Sequence, residues 1–113
     1  MKRYIARFSW VILIAPCLSI ATERHIEEGK RLAFARDKGN CLACHIIAGG
    51  ETPGNIGPPL VAIKQRYSDR KKLRAKIWDA TETNPNTSMP PFGRHRILTE
   101  EEIDKLVEFV YYL

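Results

Sequence analysis

Cys41-Leu42-Ala43-Cys44-His45 is the stretch that decides how this chain is read. It has the form C-x-x-C-H, the attachment pattern of a c-type haem. Two thiols at this spacing lie on one side of a helical turn, where each can add to a vinyl group and form a thioether. The next residue, His45, then projects its imidazole at the iron. Two other chemistries use a Cys-x-x-Cys pair. A thioredoxin-like redox pair sits beside a βαβ pattern, and none is present. A zinc site needs two more ligands at suitable spacing, but the remaining cysteine is Cys17, and His25 and His95 are isolated. Neither alternative requires the adjacent histidine. The expectation is one haem c, held covalently through Cys41 and Cys44, with His45 as an iron ligand.

Upstream, Lys2, Arg3 and Arg7 form a basic leader, Trp10 to Ala15 is wholly apolar, and Ser19-Ile20-Ala21 offers small residues where a signal peptidase reads. Residues 1–21 are expected to be a cleaved signal peptide, which gives a periplasmic address and leaves 22–113 as the single domain. The apolar segment is short for a bilayer span and is interrupted by Ser9, Pro16 and Ser19, so no stable membrane anchor is expected. A lipid-anchor reading of Cys17 meets Pro16 where a small residue is needed. The 113-residue chain carries 18 basic and 13 acidic residues, a formal +5; without the leader 92 residues remain, with 15 basic against 13 acidic, a net of +2. The basic balance is therefore partly the leader's. Without base-stacking aromatics among the basic residues, no nucleic-acid partner is expected. So short a domain has a marginal core, and a covalent haem would staple it.

Thr22 to Arg36 reads as a first helix with Ile26, Gly29, Leu32, Ala33 and Ala35 on one face. Gly29 costs helix stability, so it suits a close helix crossing or is merely tolerated. Residues 46–56 form a loop. Gly57-Pro58-Pro59-Leu60 then suits a fixed wall beside a cofactor, with free carbonyls able to accept from the His45 ring. Leu60 to Tyr67 predicts a short helix. Ser68 is a cap for another through Asp79, with Leu73, Ile77 and Trp78 inward. The Trp78 indole N–H can serve a haem propionate, or it packs in the core and is satisfied elsewhere. Lys64, Arg66, Arg70, Lys71, Lys72, Arg74 and Lys76 crowd this region, opposed in sequence only by Asp69. Such a run steers an acidic partner or simply faces solvent.

The second chemical signal is Asn84-Pro85-Asn86-Thr87-Ser88-Met89-Pro90-Pro91. The chain's two methionines are Met1 and Met89, and Met89 follows His45 by 44 residues, enough chain to pass round a ring edge. A soft sulfur in a proline-bounded loop favours Met89 as the second iron ligand over His25, His95 or an open site. Thr99-Glu100-Glu101-Glu102 is a capping box, and Ile103, Leu106, Val107 and Val110 make a helical stripe that needs a partner. The first helix is the one available. These elements predict an all-α fold, with the N- and C-terminal helices crossing and the rest wrapped round one haem.

This pattern resembles the class I cytochromes c: an N-terminal helix with a glycine, C-x-x-C-H, Gly-Pro-x-Leu, a methionine in a proline-rich loop, and Leu106 with Phe109 placed as the helix-crossing pair. The resemblance implies that the Pro58 carbonyl supports the proximal histidine. Ala33 departs from it, since the family has an aromatic there, so a less tightly filled crossing is expected. A narrower similarity, to the SoxX family of monohaem subunits of SoxAX cytochromes, covers nearly all of 22–113. It is carried by residues 39–45, 53–60, 84–93 and 97–103, with Met89-Pro90-Pro91-Phe92-Gly93 the most specific block. It implies an electron-transfer subunit, not catalytic alone, of an L-cysteine S-thiosulfotransferase complex. A SoxA-type cytochrome subunit would be its heterodimer partner, the SoxYZ carrier would be met through the complex, and an acceptor cytochrome would take the electrons. The alternatives are a free-standing soluble periplasmic electron carrier, and a haem enzyme or gas sensor with a labile axial position.

Overall fold

The computed structural model describes residues 17–113. Most of the expected leader therefore lies outside the described residues. Four α-helices follow in order: α1 Cys17–Phe34, α2 Ile63–Arg66, α3 Arg70–Trp78 and α4 Glu100–Tyr111, with short 3-10 turns at Cys41–Ala43 and Ala80–Glu82. No strand occurs among the described residues. The all-α expectation holds.

The crossing of α1 and α4 is the main interface. A Cβ placed on Gly29 would stand 2.1 Å from the Lys105 carbonyl oxygen and 2.8 Å from Phe109 Cβ, so a hydrogen is what lets the two backbones touch. The close-crossing reading of Gly29 is the correct one. Ile103, Leu106, Val107, Phe109 and Val110 of α4 are all buried, as the stripe requires. The looser crossing expected from Ala33 is not seen. Ala33 is fully buried, and the next residue, Phe34, meets Phe109 edge-on with ring centroids 6.1 Å apart at 89°. The aromatic is supplied one position along, which keeps the quadrupole-favoured T-shaped contact. Lys105 Nζ pairs with Glu28 at 2.8 Å across the crossing, and Lys38 pairs with Glu102 at 2.7 Å.

Three element boundaries differ from the sequence reading. α1, described from Cys17, closes at Phe34 and not at Arg36, after which the chain turns back so that Gly39 N–H donates to the Leu32 carbonyl at 3.0 Å. α2 is only four residues long, because Pro58 and Pro59 keep its approach extended and Ala62 sits at φ 51 immediately before it. α3 is capped by Asp69, whose carboxylate accepts from Lys71 N–H at 2.8 Å; Ser68 is not the cap. The capping box of α4 is present in both directions, Glu102 N–H to Thr99 Oγ1 at 3.1 Å and Thr99 N–H to Glu102 Oε2 at 3.0 Å.

The basic stretch is also less free than it looks. Arg74 pairs with Asp104 at 2.7 Å and Glu100 at 3.4 Å, and Arg70 with Glu108 at 3.4 Å, all on α4. Lys64 lies over the Tyr112 ring, 3.9 Å from its centroid. Acidic residues distant in sequence thus answer two of the seven, Arg70 and Arg74; Arg66 donates to the Pro59 carbonyl and Lys76 to Thr83, and Lys71 and Lys72 lie on a solvated helix face.

Candidate haem site

The attachment turn is built by Gly39 and Asn40. A Cβ on Gly39 would come within 2.8 Å of the Leu32 carbonyl oxygen, so only glycine lets the chain leave α1 this closely. Asn40 is left-handed (φ 47), a conformation its short polar side chain tolerates. The 3-10 turn Cys41–Ala43 follows, and His45 N–H donates to the Cys41 carbonyl at 2.8 Å. Cys41, Cys44 and His45 are all partly exposed on this turn. As a free thiol Cys41 is pushed up to about 11, chiefly by burial. Among the described residues, no group of three or more His, Cys, Asp or Glu is placed to hold a metal ion.

A second segment is strapped across this turn. Gly54 N–H donates to the Leu42 carbonyl at 2.7 Å, Gly57 N–H to the Cys44 carbonyl at 2.8 Å, and Leu60 N–H to the Ile46 carbonyl at 2.9 Å. His45 Nδ1 lies 2.7 Å from the Pro58 carbonyl oxygen. A carbonyl can only accept, so Nδ1 carries the proton and donates. That fixes the tautomer and leaves Nε2 as the lone-pair nitrogen, the form an iron ligand needs. Pro58 is thus where the sequence placed it, and it acts through its carbonyl.

Gly54 and Gly57 were not singled out by the sequence reading, although the strap depends on both. A Cβ on Gly54 would be 1.9 Å from the Ala43 carbonyl oxygen, and one on Gly57 would be 2.4–2.9 Å from three atoms of the His45 ring. Their signal was present in Pro53-Gly54-Asn55-Ile56-Gly57-Pro58, but a turn-rich loop and a close backbone approach have the same composition. A consequence can be measured. Gly57→Ala should displace the imidazole and break the Nδ1 bond, lowering ligand basicity; a histidine-ligand mutant of this kind typically loses on the order of tenfold or more in metal affinity or activity. The check is the ferric absorption and resonance Raman spectrum. A variant with the wild-type iron–histidine signature would show that the ring is not held by this contact.

Leu60, Trp78 and Met89 are each partly buried and pack against the main core, as do Cys41, Leu42 and Tyr67. Partly covered apolar side chains suit a flat apolar ring, and the His45 Nδ1–Pro58 contact leaves Nε2 for iron, so the residues present fit a haem. The Trp78 indole lies against Gly93, where a Cβ would be 2.0 Å from Cε3, and the Arg74 guanidinium sits 5.5 Å from its ring centroid. No described residue accepts from the Trp78 indole N–H, which leaves it available to a propionate. Met89 N–H donates to Thr87 Oγ1 at 3.2 Å, and Phe92 beyond it is buried. His25 and His95 are exposed. A cleft of about 670 Å³ lies elsewhere, between α1, α3 and α4, and is lined by charged residues such as Arg70, Arg74, Asp104 and Glu108.

A helical fold closed by an α1–α4 crossing, with C-x-x-C-H on a 3-10 turn and a histidine held by a proline carbonyl, defines a small c-type cytochrome. The cytochrome c family model matches residues 26–113, and the chain belongs to that family, whose members carry haem c covalently. Among solved structures it is similar to a chain in the crystal structure of SoxXA from P. pantotrophus, with a TM-score of 0.68 and 30% identity, covering 75% of this chain and 78% of that one. The match supports a SoxX-type monohaem cytochrome c. An uncharacterized lipoprotein of Aquifex aeolicus (strain VF5) is 38% identical over 79 residues, which are 66% of this chain. The match spans only 36% of that relative's length.

Proposed function

We propose that this chain is the electron-transfer subunit of a SoxAX-type complex, in which a SoxA-type cytochrome performs the substrate chemistry. The observation that carries the reading is the likeness to SoxXA at 30% identity over 75% of the chain, on a site whose own residues suit a relay. The complex would join thiosulfate to a carrier cysteine: R–SH + S2O3²⁻ gives R–S–S–SO3⁻, one proton and two electrons. A bound haem would supply a reversible one-electron ferric/ferrous couple. Cys41 and Cys44 would hold it, His45 would ligate iron through Nε2, and Met89 would supply a thioether ligand. With both thiols taken up in thioethers no nucleophile would remain, and with His45 and Met89 both bound substrate would have nowhere to coordinate. The Pro58 carbonyl accepts from His45, Leu60 would wall the ring, and the Trp78 indole N–H would donate to a propionate.

Ile46, Ile56 and Val61, 46, 72 and 56% exposed, lie on the strapped segments beside this site. Exposed aliphatics here suit a subunit contact better than a solvent face. The expected address is periplasmic, with residues 1–21 removed and the electrons handed to an acceptor cytochrome. No described helix is long and apolar enough to cross a membrane.

In a rapid-mixing experiment with thiosulfate and carrier protein, the haem of this chain should be reduced only when the partner cytochrome is present. Reduction of the isolated chain by thiosulfate would contradict the proposal and favour a site open to substrate.

A further inference from the structure

The loop that bears Met89 is closed at its feet by contacts that do not involve the Met89 side chain. One foot is the end of α3, Trp78 and Asp79; the other is Gly93 and Arg94. Gly93 N–H donates to the Trp78 carbonyl at 3.1 Å, and Gly93 lies flat on the Trp78 indole. Arg94 Nε then meets Asp79 Oδ2 at 3.0 Å. Besides the packing of Met89 on the core, the middle of the loop is held by local bonds, Thr87 N–H to the Asn84 carbonyl at 3.0 Å and Asn84 N–H to the Ala80 carbonyl at 3.1 Å, and Asn84, Pro85, Asn86, Ser88 and Pro90 are exposed.

Asp79 is the buried charged residue of the described core. Its Oδ1 is satisfied by the Thr81 hydroxyl at 2.5 Å and the Thr81 amide at 3.0 Å. Its Oδ2 has no aligned hydrogen bond and pairs with the Arg94 guanidinium, with His95 also close enough to act on the charge. Burying a carboxylate is costly, and such a pair is weak as a device for stability alone. It is effective at fixing one geometry, because any displacement of Arg94 leaves a charge stranded. The side chain of Asp79 is 1% exposed and that of Arg94 54%, so the pair is anchored on the α3 side and releasable on the loop side.

We propose that Asp79 and Arg94 form a latch that keeps the Met89 loop closed, so that the thioether is held against the haem and external ligands are kept out. Arg94 is a positioning residue, acting through the loop. This rests on Met89 being the axial ligand. An added ligand such as imidazole must wait for the loop to open, so its apparent affinity scales with the open fraction.

The test uses the full haem-loaded chain. Imidazole binding to the ferric form is titrated at 25 °C, alongside the methionine–iron charge-transfer band and far-UV melting. Arg94→Ala should raise apparent imidazole affinity roughly three- to tenfold, the range left to a charged pair after screening on its exposed side. Arg94→Lys should return most of that shift, and Lys72→Ala, an exposed basic residue away from the loop, should leave affinity unchanged. Should Arg94→Ala fail to retain haem, Asp79→Asn carries the comparison, since it removes the charge that Arg94 meets. Affinity within twofold of wild type for Arg94→Ala, or for Asp79→Asn where Arg94→Ala does not load, overturns the latch while leaving Met89 as ligand. A wild-type ferric spectrum without the charge-transfer band overturns the ligand reading and the latch together.

Discussion

Met89→Ala is expected to abolish the methionine–iron charge-transfer band and lower the reduction potential. A thioether is a soft acceptor that favours ferrous iron, so His/Met ligation raises the potential of a c-type haem. Its loss should cost on the order of a few tenths of a volt, within the roughly 0.8 V span that axial ligands command. The fold should survive. Met89 is only partly buried, and the loop around it is closed at Trp78 and Gly93 by contacts independent of the sulfur. Potentiometry and the ferric spectrum of the variant are the checks. A variant that keeps the band would transfer the ligand role to another residue, with exposed His95 the nearest imidazole in sequence.

Gly29→Ala should destabilise the fold at its main helix crossing. The added carbon would stand 2.1 Å from the Lys105 carbonyl oxygen, which belongs to the backbone of α4 and cannot swing aside. Relief requires the helices to separate, which loosens the Phe34–Phe109 contact and the Lys105–Glu28 pair. Overpacking costs about 1–3 kcal/mol or more, and the better helix propensity of alanine returns about 1 kcal/mol. For a domain of this size each 1 kcal/mol moves Tm by about 4–8 °C. A drop of roughly 10 °C in the haem-loaded chain follows, measured by far-UV circular dichroism. An unchanged or higher Tm would mean that α1 and α4 do not cross at Gly29.

Much of this was legible in the sequence, and for identifiable reasons. The attachment turn is a local pattern whose chemistry demands its spacing. The α4 helix announces itself through a capping box and a stripe, both of which depend on neighbours within a few residues. Gly29 could be read as a notch because glycine inside a helix needs a reason. The features that escaped are those in which one segment constrains another distant in sequence. Gly54 and Gly57 look like turn residues until the strap is laid on the Cys41–His45 turn. Arg70 and Arg74 look unopposed until α4 brings Glu108 and Asp104 beside them. Asp79 looks like the end of a helix, and only folding puts Arg94 against its buried oxygen. Phe34 replaces the aromatic missing at position 33 because the crossing needs a ring in that volume, which two adjacent residues on a helix can both approach.

On the proposed reading His45 offers the iron a nitrogen and Met89 a sulfur, and no position is left open. Exposure of the ferrous chain to carbon monoxide tests this most directly. With His45 and Met89 both bound, the wild-type spectrum should stay unchanged at neutral pH, and only Met89→Ala should shift to the carbon monoxide form. Prompt formation of that form by the wild-type chain would contradict a closed six-coordinate relay.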